Sequence, residues 1–289
     1  MSGHFVQALR LNTTPTPTVI DGVLDQTIDP GHDVETFYSD GQALPTMACV
    51  AAILSRLGFT SLKISTLNSL FGVSGYEIDS VSLDAFTVNA SATGRGSSGE
   101  MFTVSKGVVV PTRLVATQRP GATINYSIVA GGSSGAAPLS VTSGQAVPAV
   151  TAANEVYRLI GATLNGSSLG TLLSCEVDFG FDVRQEIGEA EYPNLVHVAR
   201  RAPRILLKTR KPGALSQVTL TGSSHAVVVT LGKCTLGGLL SANTLTLTTY
   251  AQIVTPGTLQ GDQAGLASND ILVQPLYDGT HAPIVIGTT

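Results

Sequence analysis

Apolar residues in this chain fall mostly at alternate positions, in short runs closed by glycine, proline or serine. That is the period of a strand with one buried face. The clearest run starts at Cys175. Cys175, Val177, Phe179, Phe181 and Val183 share one side, and Glu176, Asp178, Gly180, Asp182 and Arg184 the other, which predicts one half-buried strand. Further strands are expected over Phe5–Leu11, Tyr76–Ala92 (as one or two), Met101–Val110, Arg113–Thr117, Ile124–Ala130, Val218–Leu220, Ala226–Leu231, Leu239–Tyr250 and Ile271–Tyr277. Thr13–Thr18 reads as a loop or sheet edge because its prolines cannot donate to a ladder. In Ser65–Phe71, Leu67, Leu70 and Phe71 sit at helical spacing behind a Ser/Thr cap, which predicts a short helix. Gln42–Phe59 fits either a helix begun by Pro45 or a strand. Thr93–Gly99 and Gly131–Gly135 read as loop tips, and residues 142–154 as a linker.

The run at Cys175 has an earlier echo. Asp-x-Gly-x-Asp-Val occurs at Asp29–Val34 and again, 149 residues later, at Asp178–Val183. Both copies continue through acidic and polar residues to a proline, Pro45 or Pro193. Leu9–Asn12 lies over Ala162–Asn165, Gly107–Leu114 over Gly238–Leu245, and Ala137–Leu139 over Ala282–Ile284. The offset of 131 in the third match implies about 18 extra residues inside the first copy. The expected organisation is a tandem duplication of β domains, residues 1–148 and 149–289, each with a short flanking helix.

Composition sharpens this. Asp, Glu, Lys and Arg make up 12% of the 289 residues, against roughly 25% in ordinary soluble domains. A surface so poor in charge is expected to be covered by copies of the same chain. The net charge of −4 argues against a general nucleic-acid binder. Cys49, Cys175 and Cys234 show neither metal-ligand spacing nor a pairing pattern and read as small apolar residues in a reducing compartment. Met1–Asn12 lacks the apolar segment of a signal peptide, and Met47–Leu54, the longest apolar run, is too short to span a bilayer.

No catalytic motif is present: no G-x-S-x-G, P-loop, G-x-G-x-x-G or H-E-x-x-H. His32 beside Asp29 and Asp33 reads as a solvated bend rather than a metal site, and no metal or cofactor is expected. Asp178 and Asp182 on one strand would stand roughly 13 Å apart, too far to share a reaction. Six of the 16 basic residues crowd into Arg200, Arg201, Arg204, Lys208, Arg210 and Lys211. With no aromatic residues interleaved for base stacking, a subunit contact is the expected role.

Taken together, Leu164–Leu169, Cys175–Val183, Glu189–Pro193 and Pro203–Lys208, with Asp40–Pro45 and Leu62–Leu70 in the first half, resemble the tail tube proteins of long-tailed, siphovirus-like bacteriophages. The resemblance implies β-sandwich or half-barrel domains that close in sixes into rings, which stack into a tube conducting DNA. A duplicated chain would need three copies per ring, a trimer with pseudo-six-fold symmetry. The implied partners are the chain itself, other tail proteins at the tube ends, and viral DNA passing without specific binding; no membrane is involved. The implied location is the virion tail, after synthesis in the host cytoplasm. A wall that lets DNA pass should present carboxylates, so Asp29, Asp33, Glu176, Asp178 and Asp182 are expected to face the lumen. Thr93, Arg95, Gly99, Gly131 and Gly135 are candidates for ring-to-ring contacts. Competing readings are a terminal ring protein of the distal tail or baseplate, a β-rich adhesion or carbohydrate-binding module, which the lack of Trp disfavours, and a hydrolase with an unrecognised site.

Overall fold

The computed structural model describes the chain except residues 1–3, 14, 39–43, 92–93, 120, 133–135, 150–154, 189–191, 211–225, 236–237, 239, 262–266 and 289. The protein is mainly β. The first half contains β1 (His4–Leu11), β2 (Thr18–Ile20), β3 (Val23–Asp29), β4 (His32–Phe37), β5 (Met47–Ile53), β6 (Arg56–Ser61), helix α1 (Ile64–Phe71), β7 (Tyr76–Ile78), β8 (Leu83–Ser91), β9 (Gly94–Val104), β10 (Gly107–Thr117), β11 (Thr123–Ala130) and β12 (Leu139–Ala146). The second contains β13 (Tyr157–Leu164), β14 (Ser167–Ser168), β15 (Leu172–Asp178), β16 (Phe181–Ile187), β17 (Pro193–Arg201), β18 (Arg204–Thr209), β19 (Val227–Cys234), β20 (Leu240–Thr248), β21 (Ala251–Gly261), β22 (Ala267–Leu276) and β23 (Val285–Thr288).

The pairing order of the first half recurs in the second. β12-β9-β8-β1-β2 is matched by β23-β20-β19-β13-β14, the ribbon β4-β5 by β16-β17, and β10-β11-β6-β3 by β21-β22-β18-β15. The two four-strand runs join in one sheet, ordered β21-β22-β18-β15-β10-β11-β6-β3, with β7 beside β10. The junction is antiparallel, with Arg113 opposite Asp178 and Thr117 opposite Ser174. One core lies on a single side of this sheet, against both five-stranded sheets and α1. It joins Leu9 and Leu83, Phe59 and Ile124, Val177 and Leu207, and Leu231 and Leu245.

Helix α1 buries Ile64, Leu67 and Phe71. Its first turn is capped from far along the chain. Glu155 accepts from the Ser65 amide at 2.5 Å and from the Thr66 hydroxyl at 2.5 Å, which satisfies donors the helix start leaves open. The corresponding place in the second half falls within residues 211–225, outside the described residues.

Several expectations are corrected. Within Gln42–Phe59 the strand alternative holds and the helix does not: Met47–Ile53 is β5 and Arg56–Phe59 opens β6, while residues 42–43 lie outside the described residues. The run from Cys175 to Val183 is two strands, because Asp178 Oδ1 accepts from the Gly180 amide at 2.9 Å and Gly180 takes φ +61°. Asp29 and Gly31 build the same turn in the first half, at 2.9 Å and φ +68°. The repeated Asp-x-Gly is therefore the bend between sheet and ribbon. Of the expected loop tip Thr93–Gly99, Gly94–Gly99 is strand, belonging to β9 with Gly99 opposite Val88, and Thr93 lies outside the described residues. Residues 142–146 are strand β12 rather than linker, paired to β9. Gly107–Leu114 corresponds to β21, not to Gly238–Leu245. Gly107 opposite Ala130 matches Gln252 opposite Pro275, an offset of 145. The same offset relates Leu139 to Ile284, so the supposed 18-residue insertion disappears.

A Cβ at Gly180 would collide with the Ala202 carbonyl, and one at Gly31 with that of Leu54. Gly180→Ala should therefore cost about 2 kcal/mol or more, read as a lower urea midpoint at unchanged slope. Gly144→Ala, with positive φ but open space, should cost less.

Candidate functional site

The large sheet has one side turned away from the main core and, among the described residues, two edges without a paired strand, β21 and β3; the candidate residues distribute over these. Alternation along β15 buries Cys175 and Val177 and leaves Glu176 and Asp178 outward. On β18, Ile205, Leu207 and Thr209 are buried while Arg204 and Lys208 point outward. Opposite charges then meet across strands: Arg113 faces Asp178, Asp178 faces Arg204, Lys208 faces Asp270, and in the first half Asp29 faces Arg56. Arg113 also pairs diagonally with Glu176 at 2.7 Å, which raises the guanidinium pKa through that hydrogen bond and charge. Each such pair supports the register by about 0.2–1 kcal/mol.

The acidic set thus falls into two groups. Asp29, Glu176 and Asp178 lie on the sheet, while Asp33 and Asp182 lie on the ribbons β4-β5 and β16-β17. The basic run divides likewise. Arg200 and Arg201 are on β17, Arg204 and Lys208 on β18, and Arg210 follows that strand with its amide on the Thr171 carbonyl; Lys211 lies outside the described residues. Arg201 stacks on the Phe181 ring at 4.8 Å, and its burial lowers its pKa. Asp178, Asp182, Arg200 and Arg204 line one open cleft of about 360 Å³ at the bend. Two acids and two bases here neutralise one another, so the cleft concentrates neither sign.

Of the loop candidates, Thr93 and Gly135 lie outside the described residues, and Arg95 is placed only as a backbone position on β9. Gly99 sits inside that strand. Gly131 is buried, with its amide on the Lys106 carbonyl at 2.9 Å, and it packs beneath β17 rather than forming an exposed tip. Among the described residues, no group of three or more His, Cys, Asp or Glu is placed to hold a metal ion, and no helix is long and apolar enough to cross a membrane.

What sequence reasoning missed is the contact between the halves. Ribbon β16-β17 leans over the ends of β10 and β11, where Val196, Phe181 and Val183 close a second apolar cluster with Val108, Val110 and Val129. The Gly132 amide donates to the Pro193 carbonyl at 2.7 Å, and Gln185 Nε2 to the Ala130 carbonyl at 2.8 Å. The signal in the sequence was Val108–Val110, an unbroken apolar run of the kind a strand covered on both faces carries. The equivalent ribbon β4-β5 has no such cover among the described residues: all six residues of β4 are exposed.

No protein-family model matches the chain, and no curated protein matches it.

Cys175 lies at the junction, opposite Ala116 and fully buried, and burial pushes its thiol up to about 12. It should resist iodoacetamide at pH 8 until the protein is unfolded, while exposed Cys49 is modified in the native chain; mass spectrometry of labelled peptides reads both.

Proposed function

We propose that this protein is a structural subunit that assembles edge to edge into rings, and that the rings stack into the tail tube through which a bacteriophage passes its DNA. The reading is carried by the junction within the chain. β10 of the first half pairs with β15 of the second, and the strands equivalent to them, β21 and β3, are the two free edges of the same sheet. Repeating the step from the first half to the second therefore sets β21 of one copy against β3 of the next. The internal register transfers with it: Leu114 opposite Val177 becomes Leu259 opposite Ile28. A pairing that advances by one strand set at each step is heterologous, and it closes when the rotation completes a circle.

Three copies, each giving the eight strands of the main path, would close 24 strands around a bore. At about 4.8 Å between strands and a tilt of about 40°, the backbone diameter is about 48 Å, wide enough for a DNA duplex. The core side of the sheet faces outward in such a ring, so the bore is lined by the opposite side. Its carboxylates, Asp25, Asp29, Glu176, Asp178 and Asp270, stand among Arg56, Arg113, Arg204 and Lys208. A wall with both signs interleaved has no net field to hold phosphates, and a duplex slides past without retention. Other tail proteins would occupy the tube ends.

Negative-stain microscopy of the purified protein should show hollow tubes or rings; a chain that stays monomeric at high concentration would rule the reading out. The variant Asp25→Arg/Thr27→Arg, which changes exposed positions of the same face and leaves both Asx turns and the Asp178 pairs intact, should form assemblies that retain duplex DNA at 50 mM salt and release it at 500 mM, whereas wild-type assemblies retain none.

A further inference from the structure

We propose that ribbon β4-β5 is a docking arm, and that its receptor is the patch formed by Ile253, Leu276 and Tyr277 on β21 and β22 of a second copy of this chain. The inference rests on the ring reading in one respect: copies must meet through the same step that relates the two halves. The template is the internal contact of β16-β17 on β10 and β11. Registers give the equivalent positions. β4-β5 corresponds to β16-β17, with Val34 opposite Val50 matching Val183 opposite Val198. Gly107 opposite Ala130 matches Gln252 opposite Pro275, so Val108, Gly131 and Gly132 correspond to Ile253, Leu276 and Tyr277.

Exposure follows the template. Val108 is 7% exposed beneath its ribbon, whereas Ile253 is 49%, Leu276 43% and Tyr277 67% exposed. The free arm is apolar to match: Val34 is 53%, Leu44 75% and Met47 67% exposed. A lone two-stranded ribbon is marginally stable in water, and apolar residues on both it and the patch are what an unmade contact leaves uncovered.

Size complementarity identifies the occupant. In the internal contact the receptor is small and the arm large: a Cβ on Gly131 would lie 2.8 Å from Val196 Cγ2, and one on Gly132 3.0 Å from Tyr192 Cβ. At the free contact the balance shifts to the receptor. Leu276 replaces Gly131 where the smaller Ala48 replaces Val196, and Tyr277 replaces Gly132 where the smaller Leu44 replaces Tyr192. Each arm residue shrinks where its receptor residue grows, the direction that close packing requires. The exchange also makes the contacts distinct, because Val196 has no room beside Leu276. The Tyr277 amide would donate to the partner copy's Pro45 carbonyl, as Gly132 donates to Pro193.

The Gly131 Cβ position lies 3.8 Å from Val196 Cβ, a disulfide spacing. The equivalent pair between copies is Ala48 and Leu276. With Cys49→Ser and Cys234→Ser as background, Ala48→Cys and Leu276→Cys are made separately and mixed under mild oxidation. The mixture should give a covalent dimer on non-reducing gels, at least tenfold above either variant alone. The wild-type chain supplies a second readout: amide exchange over Leu276–Tyr277 and over Met47–Ile53 should slow at least tenfold on assembly. Assemblies with neither the mixed dimer nor the slowed exchange overturn the docking and leave the ring reading standing. A wild-type chain that never associates overturns both. Dimers linked through this pair but forming neither ring nor tube uphold the docking and overturn the tube.

Discussion

The fold depends on one short antiparallel ladder, Arg113–Thr117 against Ser174–Asp178. Without it the chain would hold two four-strand runs, each with two bare edges. With it, one sheet spans the chain, one core lies along a single side, and Cys175 and Leu114 are sealed in the middle. The ladder stops short of Pro111, and a proline recurs at the same place on the free strand as Pro256. A proline has no amide to give, so it bounds how far a partner can zip along either strand. The free edges β3 and β21 thus keep the features of a paired edge: β21 carries no charged residue, and neither strand is shortened to blunt it.

How much of this was legible depended on whether side chains or partners decide the structure. The β class, helix α1 and the placement of β1, β11 and β22 followed from alternation and spacing, because each buries one face. The 149-residue echo marks a turn rather than a continuous strand. Asp29 and Asp178 keep their identity because a turn needs an Asx acceptor two residues before a glycine at positive φ. A break in one apparent strand is invisible to period 2, since Phe179 and Phe181 keep the alternation across it. The misread loops have a different cause. Gly94–Gly99 has almost no strand propensity, yet β8 on one side and β12 on the other supply its ladder, and neighbours outweigh intrinsic preference in sheets.

The charge pattern follows from the same ladder. Because strands run antiparallel in a strict register, an acid on one strand always meets the same position on the next. Asp178 sits between Arg113 and Arg204, and Asp29 opposite Arg56. A row of carboxylates alone would repel itself and loosen that register. Few charges, most of them matched across strands, satisfy the sheet while leaving its open side without a strong field.

Carrying both contacts in one chain changes what each must do. The internal contact forms during folding, where the linked segments meet at high effective concentration, so Gly131 and Gly132 can sit flush beneath Val196 and the Pro193 carbonyl. The proposed contact between copies would have to overcome the loss of translational freedom. Its receptor carries larger apolar groups than the internal one, Leu276 and Tyr277 in place of Gly131 and Gly132, and leaves them exposed. Because the strand order recurs within the chain, the internal junction and the proposed one could differ in sequence while keeping one geometry. A ring built from such chains alternates a junction formed by folding with one formed by assembly, and only the second must wait for another copy to arrive.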